Sequence, residues 1–354
     1  MADKKLLNIF AKRLKNARIM NGLSMDDLCK KMPTSVSKMS ISKYESGALI
    51  PNSTVLISLS KALAQPIDYF FRPFTVSIES VKFRKKYSLP IKKENALKES
   101  IADFAERYLT IEEICALPCD FHRPDFKPVA NERNAKECAM LLRKKWNLGE
   151  DGIVNVIAML EEHNIKVLEI NADEKFDGLS SMINGVHPII VLNLNFSAER
   201  KRFTALHELG HLILNFMPQI NAKNQELLCN AFANEMLIPE KVFKKAIGAH
   251  RTFIAYQELQ GLQRQFGISP DALMYKAKNA GIISESRYKF FQIQKNRSRK
   301  LRENFEESLY MPEESFRFVQ LVYSALSRDL LSISMAANLL KQSIETVRGN
   351  LSLL

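Results

Sequence analysis

Apolar positions along the chain recur at two different periods, and the changes between them mark out its parts. In residues 1–73 the spacing is three and four: Phe10, Leu14 and Ala17 in one run, Leu28 in a second, Ile41 and Tyr44 in a third, and Leu56, Leu59 and Leu63 in a fourth. Such spacing keeps one face of each helix apolar. Ser24-Met25-Asp26-Asp27 sets a hydroxyl before a helix start and a carboxylate three residues on, the capping-box arrangement. A third helix from about Ser37 to Glu45 stops at Gly47, before Pro51. The pattern predicts a five-helix bundle ending near Phe71. A long helix follows over 91–115 through Ala96, Ile101, Phe104, Ala105 and Leu109, and a proline-rich stretch from Pro118 to Pro128 then reads as a linker.

Helical spacing resumes from Asn134 to Trp146 and from Ile153 to Glu162. The period then drops to two. Ile165 to Ile170 alternates, Asp177-Gly178 marks a turn, Leu179 to Ile183 is a second strand, and Pro188 to Leu194 is a nearly continuous apolar third. From Glu199 to Phe216 the spacing of Phe203, Leu206, Leu209, Leu212 and Ile213 is helical again, and a second helix runs from Glu226 to Pro239 with Leu228, Phe232 and Met236 on one face. The chain reads as helical to about Lys278, and Ser315 to Leu354 carries two more apolar helical faces, best taken as a packing appendage. The expected class is mainly α with a small β-sheet, α+β. The expected parts are a helical bundle over 1–73, a basic and helical linker over 74–130, a mixed domain over 131–280 and a helical region over 281–354.

A chain of 354 residues with 46% hydrophobic and 25% charged residues suits a soluble protein of two or three domains. No apolar run nears the roughly 20 residues that span a bilayer, and Met1-Ala2-Asp3-Lys4-Lys5 leads into no signal-peptide core. The expectation is a cytoplasmic protein without a membrane partner. Five cysteines at irregular spacing suggest reduced thiols; Pro118 breaks the helix that could pair Cys115 with Cys119, so these read as core or surface residues. The net charge is +12, and residues 1–74 hold twelve Lys and Arg against five Asp and Glu. That concentration is the footprint of a polyanion binder. Val81 to Pro90, basic with aromatics, reads as a solvated linker in preference to a phosphate-facing strap, and a second basic cluster follows at Lys295 to Arg302.

The chemistry concentrates at His207-Glu208-Leu209-Gly210-His211, which holds two of the six histidines. Residues four apart on a helix are neighbours, with Cβ atoms about 5–6 Å apart, so both imidazoles can grip one Zn2+ at about 2.0–2.1 Å. Glu208 lies one step round, placed to take a proton from a water whose pKa the ion lowers to about 7. A third ligand is needed: Glu226 near the start of the next helix is the first candidate, with Glu235 and Glu240 in competition. His122, His163, His187 and His250 have no metal spacing to one another; His187 alone merits a test as a transition-state donor. Arg200, Lys201 and Arg202, basic where a helix dipole disfavours them, could hold an acidic group of a substrate. The strand Ile189 to Leu194 is a candidate edge for an incoming peptide, though its apolar run suits a central strand as well.

Phe203-Thr204-Ala205-Leu206 leading into the HELGH motif, then Glu226-x-x-Cys-Asn-x-Phe-Ala and Leu237-Ile238-Pro239, resembles the ImmA/IrrE family of zinc metallopeptidases. The order of strands before the helix, with Asp177-Gly178-Leu179-Ser180, resembles it too. The resemblance implies that His207, His211 and Glu226 bind zinc and that Glu208 is the general base. Cys229 stands where the family has alanine, and Ile238 where it has leucine or methionine. At the other end, Ile41-Ser42-Lys43-Tyr44-Glu45-Ser46-Gly47-x-x-x-Pro51 after Gly22-Leu23-Ser24 resembles the Cro/C1-type (XRE) helix-turn-helix family, whose recognition helix enters the major groove of double-stranded DNA. Carried onto this chain, Ser37, Lys38, Ser40 and Lys43 are the expected DNA contacts, with Ile41 and Tyr44 as packing residues. The turn from Met32 to Val36 is about two residues longer than the family's, and Met25 replaces a common glutamine.

These resemblances imply a DNA-binding zinc endopeptidase that cuts a helix-turn-helix repressor or related regulator to relieve repression, with a homodimer as a candidate assembly. The alternatives are a transcriptional regulator with a zinc-bound but non-catalytic sensor or docking domain, and a toxin–antitoxin or phage-defence component.

Overall fold

The computed structural model describes residues 2–76, 90–118, 121–297 and 299–351, the side chains at 2, 3, 300, 301, 304 and 306 excepted. It is mainly helical with one small sheet, an α+β protein, and it divides into two compact units. One joins residues 1–119 to 183–186 and 316–354; the other holds 120–182 and 187–315.

In the first unit α1 (Ala2–Met20), α2 (Met25–Lys31), α3 (Lys38–Glu45) and α4 (Ser53–Leu63) form the expected bundle. Phe10, Leu14, Ala17, Leu28, Ile41, Leu59 and Leu63 meet at its centre with almost no exposure, each large side chain contributing about 1.5–3 kcal/mol by burial. The capping box forms: Ser24 Oγ accepts from the Asp27 amide at 3.1 Å and the Asp27 carboxylate accepts from the Ser24 amide at 2.9 Å. The fifth helix is a 3-10 turn, Ile67–Phe71. Asn52 and Ser37 cap α4 and α3. α5 (Ile91–Ile114) follows and packs on α1; the buried Arg13 and Glu106 join the two at 2.7 Å. Residues 81–89 of the basic stretch before α5 lie outside the described residues, as does Cys119.

The second unit opens with α6 (Glu132–Lys145) and α7 (Val156–Glu162). α7 starts three residues after the apolar pattern does, because Asn155 supplies its cap. The sheet order is β1 (Lys166–Ile170), β3 (His187–Asn193), β2 (Gly178–Ile183). β1 runs parallel to β3, Lys166 opposite Ile189 through to Ile170 opposite Asn193. β2 and β3 are joined by three residues, a link that only antiparallel neighbours permit. β3 is therefore central, buried along nearly its whole length, and its candidacy as the substrate's edge strand is overturned; the edges are β1 and β2. The buried Asn193 gathers the loop before β2 by donating to the carbonyls of Asp173 (3.0 Å) and Phe176 (2.9 Å). Gly178 opens β2 where a Cβ would lie 2.8 Å from Thr204 Cγ2 and from the Val191 carbonyl.

α8 (Ala198–Ile213) packs on β3 and along α9 (Ala222–Leu237). α9 begins four residues before Glu226, since Asn221 caps it. The helical stretch after Pro239 is broken: α10 (Glu240–Ile247) ends at Gly248, then come α11 (Tyr256–Phe266), α12 (Pro270–Asn279), α13 (Glu285–Arg297) and α14 (Arg299–Glu306). Residues 307–315 are held against α8. Glu199 accepts from the Leu309 amide at 3.0 Å and from Ser308 Oγ at 2.8 Å, and Lys201 donates to the Glu313 carbonyl at 2.7 Å. The chain then returns to the first unit as α15 (Arg317–Ser327), α16 (Ile333–Leu340) and α17 (Ile344–Leu351). Phe318 of α15 packs against both Phe104 and Tyr108 of α5, its ring centroid 5.4 and 5.5 Å from theirs, and Lys341 pairs with Asp103 at 2.7 Å.

Candidate metal centre

α8 carries His207 and His211 one turn apart on the face turned to α9, and α9 presents Glu226 one turn in from its start. The three side chains converge. His207 Nε2 lies 3.1 Å from Glu226 Oε2, His211 Nε2 lies 3.1 Å from Glu226 Oε1, and the two Nε2 atoms are 3.1 Å apart. Among the described residues this is the one group of three or more His, Cys, Asp or Glu side chains close enough to share an ion. Two nitrogens bound at about 2.0–2.1 Å in a tetrahedral site would stand about 3.3 Å apart, so the donor set suits zinc within a few tenths of an ångström. Glu235 and Glu240 are elsewhere. Glu235 Oε1 accepts from the Glu240 amide at 2.9 Å and caps the turn. Burial pushes the Glu240 carboxyl up, but hydrogen bonds from Lys136 and Lys244 prevail and hold its pKa at about 2.

The outer atoms of the imidazoles are also engaged. His207 Nδ1 lies 2.8 Å from Asn230 Oδ1, which accepts from Nδ1–H and leaves Nε2 as the free lone pair. His211 Nδ1 lies 3.2 Å from Cys229 Sγ. α8 and α9 come this close at Gly210, where a Cβ would sit 3.2 Å from Phe232 Cδ1 and 3.3 Å from Cys229 Sγ. Glu208, half-buried, is not part of the ligand triad and accepts a hydrogen bond from Ser180 Oγ of β2 at 2.7 Å. Ser180, Asn230 and Cys229 were not singled out by spacing, because each reaches the site from another element. A cleft of about 1100 Å3, lined by Phe196, Phe203, Asn230, Asn234, Tyr275 and Tyr288, reaches Asn230 but none of the triad. A groove of about 1250 Å3 along α6 touches none of the triad.

The basic cluster at the start of α8 divides. Lys201 and Arg202 are buried, Lys201 on Glu169 at 2.7 Å and Arg202 on the Glu313 carboxylate, with the Ile153 carbonyl at 2.6 Å. Neither is free to hold a substrate's acid, and that expectation is withdrawn for both: their charge is consumed inside the unit. Arg200 is half-exposed, bonded to Asp177 at 2.9 Å and stacked 3.6 Å over the Phe196 ring. His187 begins β3, and His163 stacks on Trp146 with centroids 3.9 Å apart.

In the first unit α3 exposes Ser37, Lys38, Met39, Ser42 and Lys43, while Ile41 and Tyr44 are buried. Ser40 is half-buried, its amide donating to Ser37 Oγ at 3.1 Å, so Ser37 caps the helix. Lys38 pairs with Asp26 at 2.6 Å in the open. Met39 and Ser42 join the exposed face without having been read from the sequence.

Residues 160–278 match a peptidase-family model described as an IrrE N-terminal-like domain, and residues 14–70 match one described as Helix-turn-helix. No curated protein matches the chain. The chain thus joins an N-terminal helix-turn-helix segment to an IrrE-like peptidase segment, and no helix among the described residues is long and apolar enough to cross a membrane.

Proposed function

We propose that this chain is a DNA-binding zinc endopeptidase whose substrate is a helix-turn-helix repressor or a related regulator, cut to relieve repression. The observation that carries the reading is the convergence of His207, His211 and Glu226 beside a carboxylate, Glu208, that is not part of the triad. His207, His211 and Glu226 would hold the zinc, three protein ligands being the number that leaves a catalytic site open. Bound there, the ion would supply a Lewis acid that polarises a peptide carbonyl and makes water a better nucleophile.

The protein's own groups do the rest. Glu208 accepts the proton of the attacking water and later delivers it to the leaving amine. Ser180 Oγ, bonded to Glu208 Oε2, would orient the carboxylate and leave its other oxygen to take the proton. Asn230 keeps the proton of His207 on Nδ1. Because β2 is an edge strand and carries Ser180, an extended substrate segment that pairs with its outer edge comes to rest beside Glu208. At the other end of the chain the exposed face of α3 meets DNA, Lys38 and Lys43 on phosphate and the N-terminal serines Ser37 and Ser40 near base edges.

The test is Glu208→Gln in the full chain, assayed on a purified helix-turn-helix repressor. Removing the base should lower cleavage by about a thousandfold or more, general acid–base catalysis alone being worth about 10²–10⁴, while zinc content stays at one per chain. Unchanged cleavage would mean that Glu208 takes no part. No cleavage by either protein, with zinc bound, would favour a regulator whose metal domain senses or docks.

A further inference from the structure

We propose that Cys229 is a positioning residue for His211: its sulfur accepts the hydrogen bond from Nδ1–H and so turns Nε2 towards Glu226 and the ion. The inference rests on the reading of His207, His211 and Glu226 as the metal ligands. It concerns one of the two positions, with Ile238, at which the chain departs from the pattern it resembles.

Three observations support it. Cys229 Sγ lies 3.2 Å from His211 Nδ1, within reach of a sulfur hydrogen bond. Both residues are buried, Cys229 completely, so the contact is made in a low-dielectric setting where a polar pair has large effects. And the next residue along α9, Asn230, makes the corresponding contact to His207 at 2.8 Å. Two successive residues of one helix thus serve the two imidazoles of the other. Gly210 makes room for this: a side chain at that position would press within 3.3 Å of the same sulfur.

A ligand histidine gains from such a partner in two ways. The proton is kept on the nitrogen away from the ion, and the ring is held at one angle before the ion arrives; loss of partners of this kind typically costs about 10–100-fold in metal affinity. Alanine at 229 removes the acceptor with little change in volume. Serine restores an oxygen on the same bond.

The experiment compares wild type, Cys229→Ala and Cys229→Ser as full chains. Zinc affinity is read by competition with a chromophoric chelator, and thermal unfolding of the metal-free proteins is read in parallel. Cys229→Ala should bind zinc about tenfold more weakly, and Cys229→Ser should recover at least half of that loss on a logarithmic scale, while the metal-free melting temperatures of the two variants stay alike. Equal affinity of Cys229→Ala and wild type overturns the proposal, as does a serine variant as weak as the alanine one. A wild-type chain that takes up no zinc overturns the assignment of the metal site itself, and the role of Cys229 with it.

Discussion

Replacing Arg202 by methionine should unfold the peptidase unit at markedly lower denaturant. Its guanidinium is completely buried, ion-paired with Glu313 and donating to the carbonyls of Ile153 (2.6 Å) and Phe266 (3.2 Å), with the Tyr310 ring 4.4 Å away. A buried pair taken whole is worth little against an apolar replacement, since desolvation offsets its attraction; removing one partner strands the other and costs about 3–5 kcal/mol. Glu313 keeps two supports, the amides of Val156 (2.8 Å) and Ile157 (3.2 Å). Burial also pushes its carboxyl upward in pKa, so protonation can relieve part of the stranded charge. The lower end, about 3 kcal/mol, is therefore expected. Trp146 is the single tryptophan and lies in this unit, so its fluorescence in a urea titration reports the relevant transition. Glu313→Gln and the double variant complete a cycle, and their coupling to Arg202→Met should exceed about 1 kcal/mol. An Arg202→Met protein that unfolds within about 0.5 kcal/mol of wild type, the scatter of neutral surface changes, would refute the clamp and revive Arg202 as a substrate anchor.

Three further outcomes are expected. Burial first, with the nearby Glu106 adding and Arg13 opposing, raises Glu99 to about 7; the folded chain holds this proton more tightly than the unfolded one, so its contribution to stability is complete below the ordinary glutamate value and is lost as pH rises towards 7. Glu99→Gln should therefore stabilise the first unit above pH 7 by about 1–2 kcal/mol after allowance for solvent screening, and a thermal melt showing no gain over wild type at pH 8 would contradict this. Lys43→Ala should weaken binding to any duplex and lower the salt slope by about 0.9, read by fluorescence anisotropy across salt; an unchanged slope removes Lys43 from the phosphate contacts. Gly267→Ala should destabilise the second unit by more than about 1 kcal/mol, because φ is +61° and the added Cβ would fall 2.5 Å from Arg202 Nε; a neutral urea midpoint would show that the loop moves freely.

Local pattern carried the elements that bury a periodic face. The helix around HELGH was legible because five apolar residues mark one stripe, and the capping box at Ser24 because it acts over three residues. The start of α9 was not: Asn221 to Gln225 is polar apart from Ala222, so periodicity is silent there, and only the Asn221 cap gives it away. The central place of β3 was half-visible in its continuous apolar run. What escaped depends on distant partners. Nothing near Arg202 announces a carboxylate 111 residues later, so a structural charge was mistaken for a binding one. Ser180, Cys229 and Asn230 meet the histidines and Glu208 only through packing of separate elements, and neither period nor spacing encodes that. Likewise, the return of α15 to α5 links segments some 200 residues apart.

That return makes the peptidase segment a loop tied at both ends to a single helical assembly. A protease nick between residues 115 and 131 would break the backbone yet leave α15 stacked on α5 and Lys341 on Asp103. The two fragments should travel as one species under native electrophoresis and part only in detergent. Whatever else scission does to this protein, it does not by that act release the helix-turn-helix end from the rest.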